Sequence, residues 1–328
     1  MEPITYPDRF KRKVVALNNA LLEHLGPRGW WPTFVPGQDR PVYQPGREGR
    51  IVSDEEVFEI IVGAILTQNN TWANAAQAIV NLNREGLLNA AAIADSDGQL
   101  TELIRPARYF NQKALRLKEI AEELLRIGGI PALRREETGP LRKRLLSWRG
   151  VGPETADAIL CYALNRPIFV VDAYTGRLFE RLGLPAGSYA EMQNLVHQSI
   201  PPSTVVYGDF HARIVRLYAG KTAEAFIPEF EAHYAASSAA MNRVLRDFRD
   251  IPGVGEKIAR DFYDMGFRSK SELAGQDPED LYHRLNLLKG VTVDRCMLYV
   301  FRCAVYYVST RHPDPEKCKW WHWKDPAP

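Results

Sequence analysis

The chain has 328 residues, of which 45% are hydrophobic and 25% are charged, and its formal net charge is +2 at pH 7. This composition is that of an ordinary globular protein, and the length predicts roughly two domains of about 150 residues each. The longest apolar stretch, in FEIIVGAILTQNN, is far shorter than the about 20 residues of a membrane-spanning helix, which excludes a helical membrane span.

Cysteine content and the amino-terminal sequence bear on the compartment. Four cysteines in a chain of this size predict no disulfide framework. The first residues, MEPITYPDRFKRK, lack the apolar core of a signal peptide. We therefore expect a protein of the reducing cytoplasm. A local basic stretch, with twelve Lys or Arg against five Glu between Arg105 and Arg149, is by itself typical of a solvated face.

The hydrophobic pattern is helical along most of the chain. Residues 1–50 are rich in Pro, Gly and Arg and contain one early helical pattern, FKRKVVALNNALLEHLG. The segment SDEEVFEIIVGAILTQ opens with a serine cap and an acidic first turn, which favour a helix start. Further helices are predicted at NQKALRLKEIAEELLRIGG, GPLRKRLLSW, PETADAILCYAL and DAYTGRLFERLG. The run PIFVV (167–171) reads either as a short strand or as a buried connector, and the predicted fold is all-α.

One internal repeat suggests two related modules. The segment RGVGPETADAIL (149–160) is echoed by PGVGEKIARDFY (252–263), and each has Gly-Val-Gly with an alanine at the same offset, Ala156 or Ala259. Two copies of a helix–hairpin–helix predict two domains. We place their boundary near residue 235, in a segment of small and polar residues, which gives domains 1–235 and 236–328.

The first glycine hairpin carries a binding prediction. Glycines accept positive φ, so two helices can join through a very tight turn. The second helix then begins with unpaired N–H groups and a dipole that favours an anion, typically a backbone phosphate. A carboxylate is also favoured in this first turn. The alternative is a tight helix connection without a ligand. The predicted DNA-binding residues are Gly150, Val151, Gly152, Glu154 and Thr155.

Beyond these local features, the segment LLSWRGVGPETADAILCYALNRPIFVVDAYTGRLFERLGLP resembles the core of the helix-hairpin-helix DNA glycosylases, the endonuclease III superfamily. Three other segments resemble that family in the same order, so the similarity spans roughly residues 25–225: GAILTQNNTWANAAQAIVNL, YFNQKALRLKEIA and FHARIVRLYAG. GWWP (29–32) and ILTQNN are most similar to the 3-methyladenine branch. The resemblance implies a two-lobed helical fold with the active site in the cleft between its halves.

Asp172 matches the catalytic carboxylate of that family. Breaking an N-glycosidic bond develops positive charge on the sugar, which a fixed carboxylate stabilises while it orients the attacking water. The position also fits an N-cap of the following helix, and the two roles are compatible. Bifunctional members carry a lysine two residues after the second glycine, where it forms a Schiff base and nicks the strand. Glu154 stands there in this chain, so we expect base excision without efficient strand cleavage.

The resemblance also bears on cofactors. Many relatives close this domain with an iron–sulfur motif, C-x6-C-x2-C-x5-C, but the matching segment YAGKTAEAFIPEF has no cysteine. We expect no cluster and no other cofactor, and we expect Cys296 and Cys303 to be buried structural thiols. No cluster of carboxylates or histidines with ligand spacing supports a metal-dependent nuclease. The family further implies a monovalent cation at the hairpin carbonyls near Leu146, Trp148 and Val151.

A glycosylase must hold its flipped base between flat side chains. By resemblance, the base pocket is expected at Trp30, Trp31 and Pro32, with Phe58 or Trp72 as a further wall. A base such as 3-methyladenine is cationic, and tryptophan faces attract cations by about 0.5–2 kcal/mol. The alternative is that GWWP forms a corner of the core.

Two further residues match family positions. Gln68 matches the residue that fills the gap left by the flipped nucleotide, and the alternative is a plain polar residue at a helix end. His211 also matches a family position, and the alternative is a structural histidine with satisfied hydrogen bonds.

Residues from about 240 onward resemble a second family, bacterial helix-hairpin-helix proteins of the pathogenicity-locus or mitomycin-resistance type. The resemblance lies in IPGVGEKIARDFYDMGFRSKSEL, DRCMLYVFRCAVYY and KWWHWKD. We interpret this part as an accessory DNA-binding module in which Gly253 and Gly255 meet a phosphate and Lys257 is a further contact. Three tryptophans would stack on bases if exposed, but we expect them to cap a small helical core: Trp320, Trp321 and Trp323.

Together these features predict a monofunctional DNA glycosylase of base excision repair, acting on alkylated purines of the 3-methyladenine type. One alternative is a glycosylase for uracil, thymine or mismatched adenine, and another is a non-catalytic protein that binds damaged DNA. The retained Asp172 argues against the non-catalytic alternative. The expected partner is double-stranded DNA with damaged bases and not a membrane, and the sequence is silent on protein partners.

Overall fold

The computed structural model describes residues 5–47, 49–50, 52–96 and 98–325. The chain divides into two compact units, Met1–Phe230 and Glu231–Pro328. The boundary predicted near residue 235 stays a prediction. The segment MEPITYPDRFKRK is predicted to lack the apolar core of a signal peptide, and its first four residues lie outside the described residues.

The described residues form helices and no β-strand, which confirms the all-α prediction. One isolated antiparallel bridge pairs Thr33 with Val42. Among the described residues, no helix is both long enough and apolar enough to cross a membrane. The first twelve helices lie in the first unit: α1 Asp8–Leu25, α2 Asp54–Leu66, α3 Trp72–Arg84, α4 Ala90–Ala94, α5 Gln99–Leu103, α6 Phe110–Ile127, α7 Ile130–Arg135, α8 Thr138–Ser147, α9 Pro153–Ala158, α10 Ala173–Arg181, α11 Tyr189–Ser199 and α12 Thr204–Ala219.

Two helix starts have the capping chemistry that the sequence predicts. The Ser53 side chain accepts a hydrogen bond from the Glu56 N–H, and the Glu56 carboxylate accepts one from the Ser53 N–H, forming a capping box at α2. Helix α9 begins at Pro153, where the missing N–H of proline leaves no donor unpaired.

The first unit has two lobes built around different helices. In the first lobe, α2 is buried along its last ten residues and packs against α3, α6, α7 and α9. In the second lobe, α1 packs against α11 and α12, and α12 packs against α10. Each of these helices buries an apolar stripe against its neighbours, and this burial stabilises the lobe.

The chain passes between the lobes through a π-helical turn, Ile159–Ala163, and a connector that ends at Val171. PIFVV is that connector, since Phe169, Val170 and Val171 are buried and form no strand. The Phe169 N–H donates to Nε2 of His197 at 3.0 Å, and its carbonyl accepts from the Gln193 amide at 2.7 Å. The connector is therefore fixed immediately before Asp172.

The second unit is a smaller helical module. Helix α13, Ala223–Arg249, runs through the division between the units, and α14 Glu256–Asp264, α15 Pro278–Lys289 and α16 Cys296–Ser309 follow it. Tilted phenylalanine rings mark its core, with the centroids of Phe248 and Phe262 5.3 Å apart and those of Phe262 and Phe301 5.2 Å apart.

Two predictions for the second unit are wrong in part. Cys303 is buried, but Cys296 is exposed because it is the first residue of α16. Among the three tryptophans, Trp320 packs against the core and Trp323 is half-buried, whereas Trp321 is 48% exposed. They lie in a short 3₁₀ turn, whose three-residue period sends neighbouring side chains in different directions.

Candidate active site

Asp172 combines a structural bond with an available oxygen. Its Oδ1 accepts hydrogen bonds from the Thr175 N–H at 2.7 Å and the Thr175 hydroxyl at 2.8 Å, which caps α10. Its Oδ2 has no hydrogen bond to the described residues and lies 3.8 Å from Nε2 of His211. The cap fixes the carboxylate through one oxygen, and the other remains available for chemistry.

His211 and Tyr162 form the wall beside this carboxylate. The Tyr162 hydroxyl lies 2.7 Å from Nδ1 of His211 and 2.7 Å from the Gly208 carbonyl oxygen. Burial lowers the pKa of His211, and the nearby charge of Asp172 offsets part of this effect. Burial also raises the pKa of Tyr162 well above its ordinary value. Near neutral pH both side chains are therefore uncharged.

An aromatic cluster continues from Tyr162. Its ring lies 5.6 Å from Trp31, Trp31 lies 5.7 Å from Trp72, and Trp30 contacts Trp31, Trp72 and Tyr43 at 5.8, 6.2 and 5.4 Å between ring centroids. Tilted and edge-to-face contacts of this kind stabilise aromatic clusters. The contacts form an unbroken series from Trp30 through Trp31, Tyr162 and His211 to Asp172.

Trp31 packs closely against α2 at a glycine, Gly63. A Cβ atom on Gly63 of α2 would lie 2.9 Å from Nε1 of Trp31, so only glycine allows this close approach. Pro32 is buried next to it. Phe58 is 4% exposed and belongs to the core cluster against which Trp31 and Trp72 pack. A crevice beside Trp30 and Trp31 measures about 40 Å³, which suits water and not a purine.

The first hairpin is tied to the end of α2 through Gln68. Gly150 has φ of 78°, as the tight turn requires, and Val151 is buried beneath it. The Gln68 amide donates to the Gly150 carbonyl at 2.8 Å and to the Thr155 hydroxyl at 2.9 Å. Its oxygen accepts from the Arg116 guanidinium at 3.1 Å. Gln68 is thus bound to the predicted DNA-binding residues, and insertion into DNA would require it to leave them.

A buried lysine holds the same helix end. Lys113 is 1% exposed, and its ammonium donates to the carbonyl oxygens of Leu66 and Gln68 at 2.8 Å each. Burial, together with the charge of Arg116, lowers the pKa of Lys113 to about 8. The lysine occupies carbonyls at the end of α2 that have no partner within the helix, and it fixes the backbone of Gln68.

A buried carboxylate joins the hairpin to the connector. Asp157 of α9 is fully buried and accepts hydrogen bonds from Arg142 at 2.6 and 2.9 Å, from the Tyr189 hydroxyl at 2.7 Å and from the Gln193 amide at 2.8 Å. The Tyr189 oxygen also accepts from the Val171 N–H at 3.4 Å. Asp157 therefore links the two hairpin helices to the residue before Asp172.

Glu154 lies in the first turn of α9 and is exposed to solvent. The protein around it and the charge of Asp172 nevertheless raise its pKa to about 7. Like charges disfavour each other's ionised form, so the two carboxylates are close enough to interact.

Comparison with known proteins gives this arrangement a family. Residues 62–202 match the family described as HhH-GPD superfamily base excision DNA repair protein. A Methanocaldococcus jannaschii protein that carries the name DNA repair glycosylase is 40% identical over 201 residues, which are 60% of this chain and 82% of that protein. The chain belongs to the HhH-GPD superfamily of base excision DNA repair proteins.

A solved structure extends the likeness to the fold of the HhH-GPD domain. The crystal structure of a Helicobacter pylori 3-methyladenine DNA glycosylase bound to 1,N6-ethenoadenine is 26% identical, with a TM-score of 0.50. The match covers 64% of this chain and 97% of the other. The two-lobed helical fold expected from the sequence is confirmed.

The carboxyl-terminal part of this HhH-GPD protein matches a different family. Residues 241–327 match the family named Cdd1, described as pathogenicity locus. A Streptomyces lavendulae protein named mitomycin resistance protein McrB is 30% identical over 77 residues, which are 24% of this chain and 70% of that protein. In this unit Gly253 has φ of 82°, Gly255 caps α14, and Lys257 is exposed in the first turn.

The structure brings most of the predicted residues of the HhH-GPD domain together. Asp172, Trp30, Trp31 and Trp72 belong to one connected series, and Gln68 joins Gly150 and Thr155. Gly253, Gly255 and Lys257 belong to the second unit. Among the described residues, no three His, Cys, Asp or Glu side chains are placed to hold a metal ion.

Sequence reasoning missed several residues of the site. Tyr162, Asp157, Tyr189 and Lys113 were not predicted. A signal existed for Asp157 and Lys113, because each is a charged residue at an apolar position of a helical pattern. No local signal identified Tyr162, whose direction depends on the π-helical turn.

Proposed function

We propose that the protein is a monofunctional DNA glycosylase that removes alkylated purines of the 3-methyladenine type from double-stranded DNA. The observation that carries the proposal is the series from the tryptophans to Asp172, with Oδ2 of Asp172 unbonded among the described residues. Aromatic faces suit a flipped, cationic base, and the carboxylate suits the positive charge that develops on the sugar. The similar H. pylori enzyme, named a 3-methyladenine glycosylase, holds a modified adenine.

Asp172 is the proposed catalytic residue. An alkylated purine leaves readily because it already carries positive charge, so stabilising the sugar and orienting water are the main tasks. Oδ2 of Asp172 accepts a proton from the attacking water as the water oxygen bonds to the sugar carbon and the glycosidic bond breaks. Trp30, Trp31 and Trp72 hold the base, which requires them to move apart because the crevice beside Trp30 and Trp31 is only about 40 Å³. Pro32 and Phe58 are the buried residues of the proposed base pocket.

The hairpins are the proposed contacts to the DNA backbone. Gly150, Val151, Gly152, Glu154 and Thr155 of the first hairpin and Gly253, Gly255 and Lys257 of the second begin helices whose N–H groups favour a phosphate. Gln68 is the proposed wedge and would exchange its bonds to the hairpin for contacts with DNA. A monovalent cation at the first hairpin is supported by the carbonyl oxygens of Leu146 and Val151, which accept no backbone hydrogen bond from the described residues, whereas that of Trp148 accepts one from the Val151 N–H at 3.1 Å. Bound there, such a cation would add positive charge next to the phosphate.

Base release and strand cleavage must be measured separately to test this function. Duplexes carrying 3-methyladenine, 7-methylguanine, uracil or 8-oxoguanine are incubated with the protein, and free base and strand nicks are assayed apart. We expect release of the methylated purines without nicks, and loss of release in Asp172→Asn. Release of uracil alone would favour the alternative substrate class. Release that persists unchanged in Asp172→Asn would overturn the catalytic assignment.

A further inference from the structure

The second unit has an open groove that the proposed chemistry does not use. The groove has a volume of about 500 Å³ and runs along the last turns of α13 to the first residue of α14. Among the described residues that line it, Leu245 is the one large apolar side chain and none is aromatic. The lining residues are Ala239, Asn242, Arg243, Leu245, Arg246, Arg249 and Glu256.

Three arginines dominate this groove. Arg243, Arg246 and Arg249 are exposed, and none has a hydrogen bond, ion pair or ring contact to any residue the structure describes. Other arginines of the same unit are engaged, since Arg295 and Arg302 both pair with Asp325. The groove therefore presents guanidinium donors that the fold itself does not use.

The acidic residues near the three arginines do not cancel the positive charge of the groove. Asp247 lies on α13 and Asp250 directly follows that helix, but Lys270 binds both carboxylates, at 3.5 and 2.6 Å. The Lys270 N–H also donates to Asp247 at 2.6 Å. Glu256 is the acidic residue among those that line the groove. Three positive charges against one negative charge favour an anionic ligand.

The spacing of Arg243, Arg246 and Arg249 along α13 fits the spacing of phosphates in a nucleic acid strand. Residues three apart on a helix are offset by about 60° and rise about 4.5 Å, so Arg243 and Arg249 lie roughly 9 Å apart along the axis. A duplex rises about 3.4 Å per base pair on each strand, so the three arginines span roughly three nucleotides. A guanidinium binds phosphate oxygens through a planar pair of donors, which suits a backbone contact.

We propose that this groove binds the phosphate backbone of a nucleic acid strand, with Arg243, Arg246 and Arg249 contacting successive phosphates. The lack of an aromatic ring in the lining argues against recognition of a base, and the open shape argues against a small nucleotide. Glu256 of the groove directly follows Gly255, so a strand in the groove runs past the second hairpin. This contact is independent of the glycosylase chemistry, and it is not specific for sequence.

The salt dependence of binding tests the groove in the full chain. The probe is an undamaged, fluorescently labelled duplex of roughly 30 base pairs, titrated from about 50 to 200 mM salt. Each lost phosphate contact lowers the slope of log K against log salt by about 0.9. We expect the triple variant Arg243→Gln, Arg246→Gln, Arg249→Gln to bind at least about tenfold more weakly and to lose roughly two to three units of slope.

Matched variants separate the groove from general charge. The triple variant Arg243→Lys, Arg246→Lys, Arg249→Lys keeps the charge, and we expect it to keep most of the slope. Arg311, which is exposed in the same unit but does not line the groove, supplies the control, so Arg311→Gln should change the slope less than Arg246→Gln. If the triple Gln variant melts at a lower temperature, the single variants test the same contact one phosphate at a time.

An unchanged salt slope for DNA in the triple Gln variant would overturn the proposal. If that variant also loses binding of polyglutamate, the groove is assigned to an acidic protein segment. Base release at saturating protein should persist in the triple variant. The groove can therefore fail while the glycosylase function stands, and the reverse also holds.

Discussion

Nε2 of His211 lies 3.8 Å from Oδ2 of Asp172, while Nδ1 of the same ring lies 2.7 Å from the Tyr162 hydroxyl. That hydroxyl also lies 2.7 Å from the Gly208 carbonyl oxygen. Two contacts this short need two protons, and a carbonyl has none to give, so Tyr162 donates to Gly208. The proton between Tyr162 and His211 must then come from Nδ1. A neutral His211 therefore presents the lone pair of Nε2 toward Asp172.

Loss of His211 should slow base release without weakening DNA binding. Nε2 of His211 and Oδ2 of Asp172 are both acceptors, and a water that donates to both is held for attack. We expect His211→Gln to lower kcat about 100-fold, the lower end of the usual contribution of acid–base catalysis, with little change in KM. Single-turnover release of a methylated purine measures the effect.

Tyr162→Phe tests whether the position of the proton on the His211 ring matters. Without the tyrosine oxygen, Nδ1 loses its acceptor and the proton can move to Nε2, which then donates toward Asp172. We expect a loss of about tenfold in kcat, since the water keeps one of its two acceptors.

The protonation of His211 should also set a pH dependence. Because burial lowers the pKa of His211 below its usual 6.5, the rate of base release by the natural protein should fall with acidity only below about pH 6.5. Unchanged rates in both variants would assign His211 a purely structural role.

Asp157 should contribute to both stability and catalysis. Removing its charge leaves Arg142 without its partner and weakens the bonds from Tyr189 and Gln193. We expect Asp157→Asn to lower the free energy of unfolding by about 2–3 kcal/mol, and Tyr189→Phe by about 1–2 kcal/mol. Urea titrations measure both changes. Because Tyr189 also holds the Val171 N–H before Asp172, its loss should lower kcat more than KM. A variant destabilised to this extent with an unchanged kcat would contradict the link to Asp172.

The sequence sufficed for features that depend on local chemistry. Ser53 caps α2, Pro153 begins α9 and Asp172 caps α10, because each position is set by backbone groups within one turn. The glycine hairpins followed from the same reasoning, since Gly150 and Gly253 both have positive φ. Helix patterning gave the all-α fold because apolar stripes must be buried.

The features that could not be predicted depend on contacts between distant segments. Gln68 bonds to a carbonyl 82 positions away, and no pattern near Gln68 reveals it. Tyr162 points toward His211 because a π-helical turn adds one residue to the helix, which shifts every later side chain. The exposure of Cys296 depends on where α16 begins, and helix ends are the least certain part of a helical pattern.

Glu59 should reduce stability at neutral and higher pH. It is 4% exposed on α2, and both its oxygens accept from the Phe34 N–H, at 2.9 and 3.2 Å. Burial is the main cause that raises the pKa of Glu59 to about 7, from 4.5. The native state therefore binds an extra proton between pH 4.5 and 7, so stability from this group is present below pH 4.5 and is lost as pH rises through 7.

Glu59→Gln keeps an acceptor for the Phe34 N–H and removes the ionisation. We expect the variant to gain about 3 kcal/mol over the natural protein at pH 8 and to show no such gain at pH 4.5. Urea unfolding at both pH values measures the difference. Exposed Glu85→Gln is the control and should shift neither value. Equal gains at both pH values would mean that the effect comes from packing and not from ionisation.

Glu154→Lys should convert the proposed monofunctional enzyme toward strand cleavage. The substituted position lies in the first turn of α9, where its charge interacts with that of Asp172. A lysine amine there can displace the base at the sugar carbon and pass its proton to the ring oxygen of the sugar. The bond between that carbon and the ring oxygen then breaks, which gives a Schiff base that borohydride reduces to a stable amine. We expect a trapped protein–DNA adduct and nicking at least about tenfold above the natural protein. Glu154→Gln removes the charge without supplying an amine, so it should release base and give no adduct. Adding Asp172→Asn to Glu154→Lys should lower trapping, because base release precedes the adduct. Equal trapping of the natural protein and Glu154→Lys would contradict the assignment of Glu154 as the residue that limits the chemistry to base removal.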